Sequence, residues 1–159
     1  MTTFRPWSVL VVLACLGAVV LHAPQATADA PRVFRGATYL ITITDAQGAF
    51  ASRGVVTLHD DRTLSVIDSG QGGPTFFFSS QLGAWKPDGR SGAVGRTLDF
   101  NFPPAADVAR LDYTFSFSVN DTQVAGTITL RTFPLQADPL DGGGTVLGEF
   151  TFSGMRVIP

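Results

Sequence analysis

The chain has 159 residues and carries 11 Lys plus Arg against 13 Asp plus Glu, a formal charge of −2. Its basic residues are scattered, which leaves no electrostatic footprint for a nucleic-acid partner. Cys15 is the single cysteine, which excludes an internal disulfide, and it falls in the N-terminal segment read below as a signal, so no cysteine-ligated metal is expected in the remaining chain.

The first segment reads as a targeting signal. Met1 to Arg5 holds one positive charge, and Ser8 to Leu21 is apolar and uncharged. Ala26-Thr27-Ala28 then offers small residues at its first and third positions. This is the order of a secretory signal peptide, and the apolar run is shorter than the about 20 residues of a membrane span. The expectation is cleavage near Ala28. Residues 1–28 are then the signal, and 29–159 form one domain without a transmembrane span, secreted or periplasmic. An uncleaved anchor is one alternative. Another is lipidation at Cys15, because VLAC, Val12 to Cys15, is similar to a lipobox. The remaining chain is long enough to bury a core without staples.

After residue 30 the periodicity is that of strands. Tyr39, Ile41 and Ile43 alternate with Thr42 and Thr44, and a turn composition follows at Asp45 to Gly48. Ala49 to Asp60 gives a second strand, with Gly54 expected at a bulge or bend. A turn at Asp60 to Arg62 leads to a third strand, Thr63 to Ser69. Then comes GGPTFFFSS, with Phe76, Phe77 and Phe78 in a row. Successive side chains on an extended chain point to opposite faces, so Phe77 opposes its neighbours. A fourth strand, Gln81 to Lys86, ends at the strong turn signal Pro87 to Gly92.

The second half alternates more cleanly. In Ala93 to Phe102 the apolar set Val94, Leu98, Phe100 and Phe102 opposes Thr97, Asp99 and Asn101, and the apolar set is expected to face inward. Ala109 to Val119 sets Leu111, Tyr113, Phe115, Phe117 and Val119 on one face. Asn120-Asp121 fits a two-residue hairpin turn. Val124, Ile128 and Leu130 share a face of the strand Thr122 to Phe133. Beyond a loop ending in Gly142 to Gly144, Val146, Phe150 and Phe152 align on the last strand, Thr145 to Ile158.

Eight strands with short connections imply antiparallel neighbours. The fold expected is all-β, an eight-stranded antiparallel up-and-down β-barrel, with a β-sandwich as the alternative. Closure removes the edges that an uncrosslinked sheet must otherwise protect. GATY, Gly36 to Tyr39, and GMRV, Gly154 to Val157, resemble the two ends of calycin-like barrels such as lipocalins and avidins. Those families carry a Gly-x-Trp near the first strand and a basic residue near the last. Tyr39 stands here in place of the tryptophan, at a different spacing, and Arg156 is the matching basic residue. The pattern is also similar to that of small secreted bacterial barrels of allene-oxide-cyclase-like type. The resemblance implies a lumen that can hold a small ligand.

Catalytic and metal signatures are weak. His59 is the only histidine beyond the signal, and His59-Asp60-Asp61 suits a solvated turn. Asp138 and Asp141 lack the spacing of a calcium loop. Gly-x-Ser-x-Gly is absent, and Gly70 to Gly73 is not followed by a helix that could hold phosphate. No catalytic residue, metal or cofactor is therefore assigned. The candidate ligand-binding residues are Phe76, Phe78, Trp85, Tyr113, Phe115 and Arg96, with Phe76 to Phe78 and Trp85 near an entrance. Arg96 and Arg156 fall in phase with apolar residues, so each either reaches water along its stem or meets a charge in the barrel mouth. Three functions fit: a binding module for a small apolar ligand in the lumen, a barrel cyclase or isomerase, or a filled-core interaction protein without ligand. The oligomeric state is open.

Overall fold

The structure, a computed structural model, describes residues 36–159. The signal segment and Cys15 lie outside the described residues. Eight strands follow one another: β1 (Ala37–Thr44), β2 (Phe50–Leu58), β3 (Thr63–Asp68), β4 (Gln81–Asp88), β5 (Gly92–Asn101), β6 (Asp107–Phe117), β7 (Gln123–Pro134) and β8 (Thr145–Arg156). Each pairs antiparallel with its neighbour, and β8 pairs back onto β1 from Tyr39↔Arg156 to Thr44↔Thr151. The sheet is therefore a closed up-and-down barrel, and the sandwich alternative is not what forms. Among the described residues no helix is long and apolar enough to cross a membrane.

The alternation rule places the core. Tyr39, Ile41 and Ile43 of β1 point inward and are buried, as are Val56 and Leu58 of β2 and Leu64 and Val66 of β3. On β6 the inward set is Leu111, Tyr113, Phe115 and Phe117. The strand stops at Phe117, so Val119 is 89% exposed. The β6–β7 connection is longer than two residues: Ser118 N donates to Gln123 O at 3.0 Å and Asp121 N to Ser118 O at 3.0 Å. Gly54 stands in a regular ladder, opposite Ile41 and Asp68. A Cβ there would come within 3.2 Å of the Ile41 side chain, a tight approach. The register shift of that hairpin lies instead at Ile43/Thr44. A second shift at Leu130/Arg131 pairs Val146 with Arg131 and leaves it 47% exposed, out of line with Phe150 and Phe152.

The barrel has two ends. Gly36, the β2–β3 turn, the β4–β5 turn and the β6–β7 turn gather at one, which aromatic side chains close. There the Tyr39 hydroxyl donates to Asp121 O at 3.1 Å, and the Tyr39 and Phe117 ring centroids lie 5.8 Å apart. The other end, the mouth, carries the β1–β2, β3–β4, β5–β6 and β7–β8 connections. The β3–β4 ladder is short, running only from Thr63↔Ala84 to Val66↔Gln81. Beyond it the chain leaves the sheet as the loop 69–80, and that divergence shapes the mouth.

Candidate ligand site at the barrel mouth

The lumen is filled towards the closed end. Tyr113 and Phe115 stack with centroids 5.5 Å apart, Phe115 and Phe117 stack at 6.1 Å, and Phe152 meets Phe115 edge-on at 5.6 Å. Glycines do not leave a gap: a Cβ on Gly126 would come within 2.6 Å of the Phe152 ring, which already occupies that space. Deep in the barrel, therefore, ring stacks stand where a ligand would sit.

The mouth half is different because β5 is turned the other way from the sequence expectation. Ala93, Thr97 and Asp99 are buried, whereas Arg96 and Phe100 are exposed. The register requires it: Thr97 pairs with Leu111 and Gly95 with Tyr113, and both partners point inward. A polar floor results. The Tyr113 hydroxyl donates to Gln81 Oε1 at 2.6 Å, and Thr97 Oγ1 donates to the same atom at 3.1 Å. Burial holds the Tyr113 hydroxyl protonated far above its ordinary range. Nearer the mouth, Asn101 Nδ2 donates to Asp107 Oδ1 at 2.6 Å. Asp68 accepts from Ser52 Oγ at 2.9 Å and from Gly70 N at 2.7 Å.

Asp99 is the least satisfied member. It is 4% exposed, and its Oδ1 atom has no hydrogen-bond partner. Burial, with the Asp107 and Asp68 carboxylates adding, pushes its carboxyl up to about 7.

At the rim of the mouth the loop 69–80 frames a cleft of about 550 Å³, lined by Ile67, Asp68, Gln71, Phe77, Phe78 and Phe102 among others. Phe78 bridges to Asn101 and so turns to the lumen side, while Phe77 O accepts from Phe102 N at 2.7 Å and Phe77 is 49% exposed. Gln71 Nε2 donates to Ser80 Oγ at 3.3 Å. Its Oε1 is buried without a partner. Most buried polar atoms in folded proteins are paired, so two orphaned acceptors, Gln71 Oε1 and Asp99 Oδ1, mark this end of the barrel. A second groove of about 670 Å³ runs on the outside, past Leu40, Arg53, Gln123 and Met155. It has no such atom.

No family model matches the chain, and neither a curated protein nor a solved structure matches it.

The candidate residues named from sequence fall into four places. Tyr113 and Phe115 lie together in the lumen, and Phe78 lies at the mouth. Phe76 is beside it but 64% exposed. Trp85 is at the closed end, away from the triplet: its Nε1 donates to His59 O at 2.9 Å and Arg62 stacks on its ring at 4.3 Å. Arg96 is on the outer wall, where its Nε bonds Asp112 Oδ1 at 2.5 Å. Its phase with Val94 and Phe100 holds, but that whole face points outward. Arg156 pairs in register with Tyr39 at the closed end and is exposed. Asp138 Oδ1 accepts from Leu140 N at 2.8 Å. The β7–β8 loop is held to the outer wall by Arg110, whose Nη1 donates to Pro139 O and Asp141 O at 2.7 and 2.9 Å. Among the described residues no cluster of three or more His, Cys, Asp or Glu is placed to hold a metal ion. Gln71, Gln81, Thr97 and Asp99 are not among the sequence candidates. Thr97 and Asp99 carry a signal, a polar run on one face of β5 that reads as solvent-facing; Gln81 on β4 and Gln71 in the loop 69–80 carry none.

Proposed function

We propose that the protein is a binding module whose site is the mouth cleft. Its ligand is a small, uncharged, largely apolar molecule carrying one hydrogen-bond donor. The observation that carries this reading is Gln71, whose Oε1 lacks a hydrogen-bond partner and which lines a cleft walled by Ile67, Phe77, Phe78 and Phe102. Sites of this kind are mostly apolar with a few placed polar groups. An unpaired buried acceptor costs about 1–3 kcal/mol, and a ligand donor recovers that loss. Asp68 in the same wall, with no cation beside it in the lining, disfavours an anionic ligand. The secretory reading of Met1 to Ala28 and the calycin-like kinship belong to the same proposal. The N-terminal residue pattern supports the first, and the closed eight-stranded meander supports the second.

The probe for a test is N-phenyl-1-naphthylamine, an uncharged aromatic with a single N–H whose fluorescence rises in apolar surroundings. The expected result is saturable binding. Gln71→Leu weakens it roughly 3- to 10-fold, the worth of one hydrogen bond. Phe77→Ser weakens it about 10-fold or more while thermal stability barely moves, because Phe77 is half exposed. Absence of saturable binding, or a Kd unchanged in both variants, contradicts the reading.

A barrel cyclase or isomerase is a second reading, favoured by one observation. Asp99 is a lumen carboxyl held at about 7, where an acid can both give and retake a proton. It does not line the cleft, so catalysis needs a deeper substrate pose than binding does.

A further inference from the structure

Turning the polar residues of β5 inward leaves apolar ones outside. Near the mouth the outer wall presents Ile67, Leu82, Phe100 and Phe102, between 51% and 65% exposed, with Phe76 and Phe77 beside them on the loop. They adjoin one another. Ile67, Phe77 and Phe102 also line the mouth cleft together, Phe102 N donates to Phe77 O, and Leu82, opposite Leu98, stands diagonal to Phe100 on the same outer face. A phenylalanine has about 150–250 Å² to bury, so six large residues at about half exposure offer roughly 600 Å². That is at the top of the range of about 300–600 Å² for the largest patch on a typical monomer. It approaches the roughly 800 Å² that each partner gives to a standard interface.

We propose that a second copy of this chain docks on this wall, the two related by a two-fold axis. None of the six residues is charged, so the patch can face its own image without like-charge cost, as an isologous interface requires. Charges stand at its border instead, at Lys86 and in the Arg96–Asp112 pair, 46% and 29% exposed. An apolar centre with a polar rim is the anatomy of protein interfaces. A sheet wall also offers a stacking surface, since face-packed sheets lie about 10 Å apart.

The test uses Leu82→Glu and Phe100→Glu, two outward positions that do not line the mouth cleft, so failure here is separable from failure of the ligand reading. Sedimentation velocity of the purified protein over a range of concentrations is expected to show twice the chain mass. Each variant is expected to sediment as a folded monomer, with an unchanged far-ultraviolet circular dichroism spectrum. Leu147→Glu, exposed on β8 outside the patch, leaves the dimer intact. A wild-type protein monomeric at every concentration overturns the proposal. So does a dimer that both variants preserve, or a monomer that binds uncharged phosphatidylcholine vesicles through Leu82 and Phe100.

Discussion

At the scale of single residues, Asp99 is the most consequential position. Its carboxyl sits near 7 against an ordinary 3.8, because burial disfavours the charge and Asp107 and Asp68 repel it. The folded state therefore holds a proton that the unfolded chain has already released. Stability contributed by that group is intact below the unfolded pKa and is lost as pH rises towards 7, beyond which the loss is constant. The expected outcome is that Asp99→Asn, which keeps the shape and removes the charge, raises stability at pH 8 by a margin on the order of a few kcal/mol. At pH 4 the difference nearly vanishes. Urea denaturation of both proteins at the two pH values measures it, and an equal difference at both would show that the carboxyl is not proton-coupled. Gln71 differs because it has no charge to titrate. Its orphaned oxygen costs the folded state the same at either pH.

At the scale of elements, the seam between β3 and β4 is the weak point of the barrel. Four residues of β3 pair with β4, from Thr63 to Val66, while every residue of β6 from Asp107 to Phe117 pairs with β7. Local opening follows the density of contacts and ladder bonds. Amide hydrogen exchange in the native state is thus expected to be fastest, among the barrel strands, in β3 and the first residues of β4. It is expected to be slowest in β6 and β7, and the reverse order would contradict the seam. The strands themselves were legible in the sequence because alternation over six to twelve residues is a strong signal. Tyr39, Ile41 and Ile43, or Tyr113, Phe115 and Phe117, could be placed in the core from it. Alternation states which residues share a face, however, and not which face turns in. On β5 both faces mix sizes, and Thr97, Asp99 and Asn101 read as solvent-facing. The register with Leu111 and Tyr113 decides the matter, and register is long-range information. The same gap leaves Arg96 open between water and the mouth, whereas for Trp85 the missing information is which end of the barrel it reaches. Trp85 is on the right face but at the far end of β4, beside a turn that sequence spacing does not connect to it.

At the scale of the molecule, closure sets where chemistry is possible. An eight-stranded barrel is just wide enough to be filled by side chains or to hold one small ligand, and this one divides the two outcomes along its axis. Stacked rings occupy the lumen near the closed end, and polar groups with a cleft occupy the mouth. The same inversion of β5 that builds the polar floor turns Leu98 and Phe100 to the outer wall, so the proposed site and the proposed docking face both depend on one choice of register. In the proposed function a ligand enters at the mouth and stops there. Amide chemical-shift mapping of the isotope-labelled protein during titration with N-phenyl-1-naphthylamine tests it most directly. Shifts are expected at Asp68, Gly70, Gln71, Phe77, Phe78 and Phe102, with Val56, Leu64 and Phe115 unmoved. Shifts centred on Val56, Leu64 and Phe115, or none at the mouth, would contradict it.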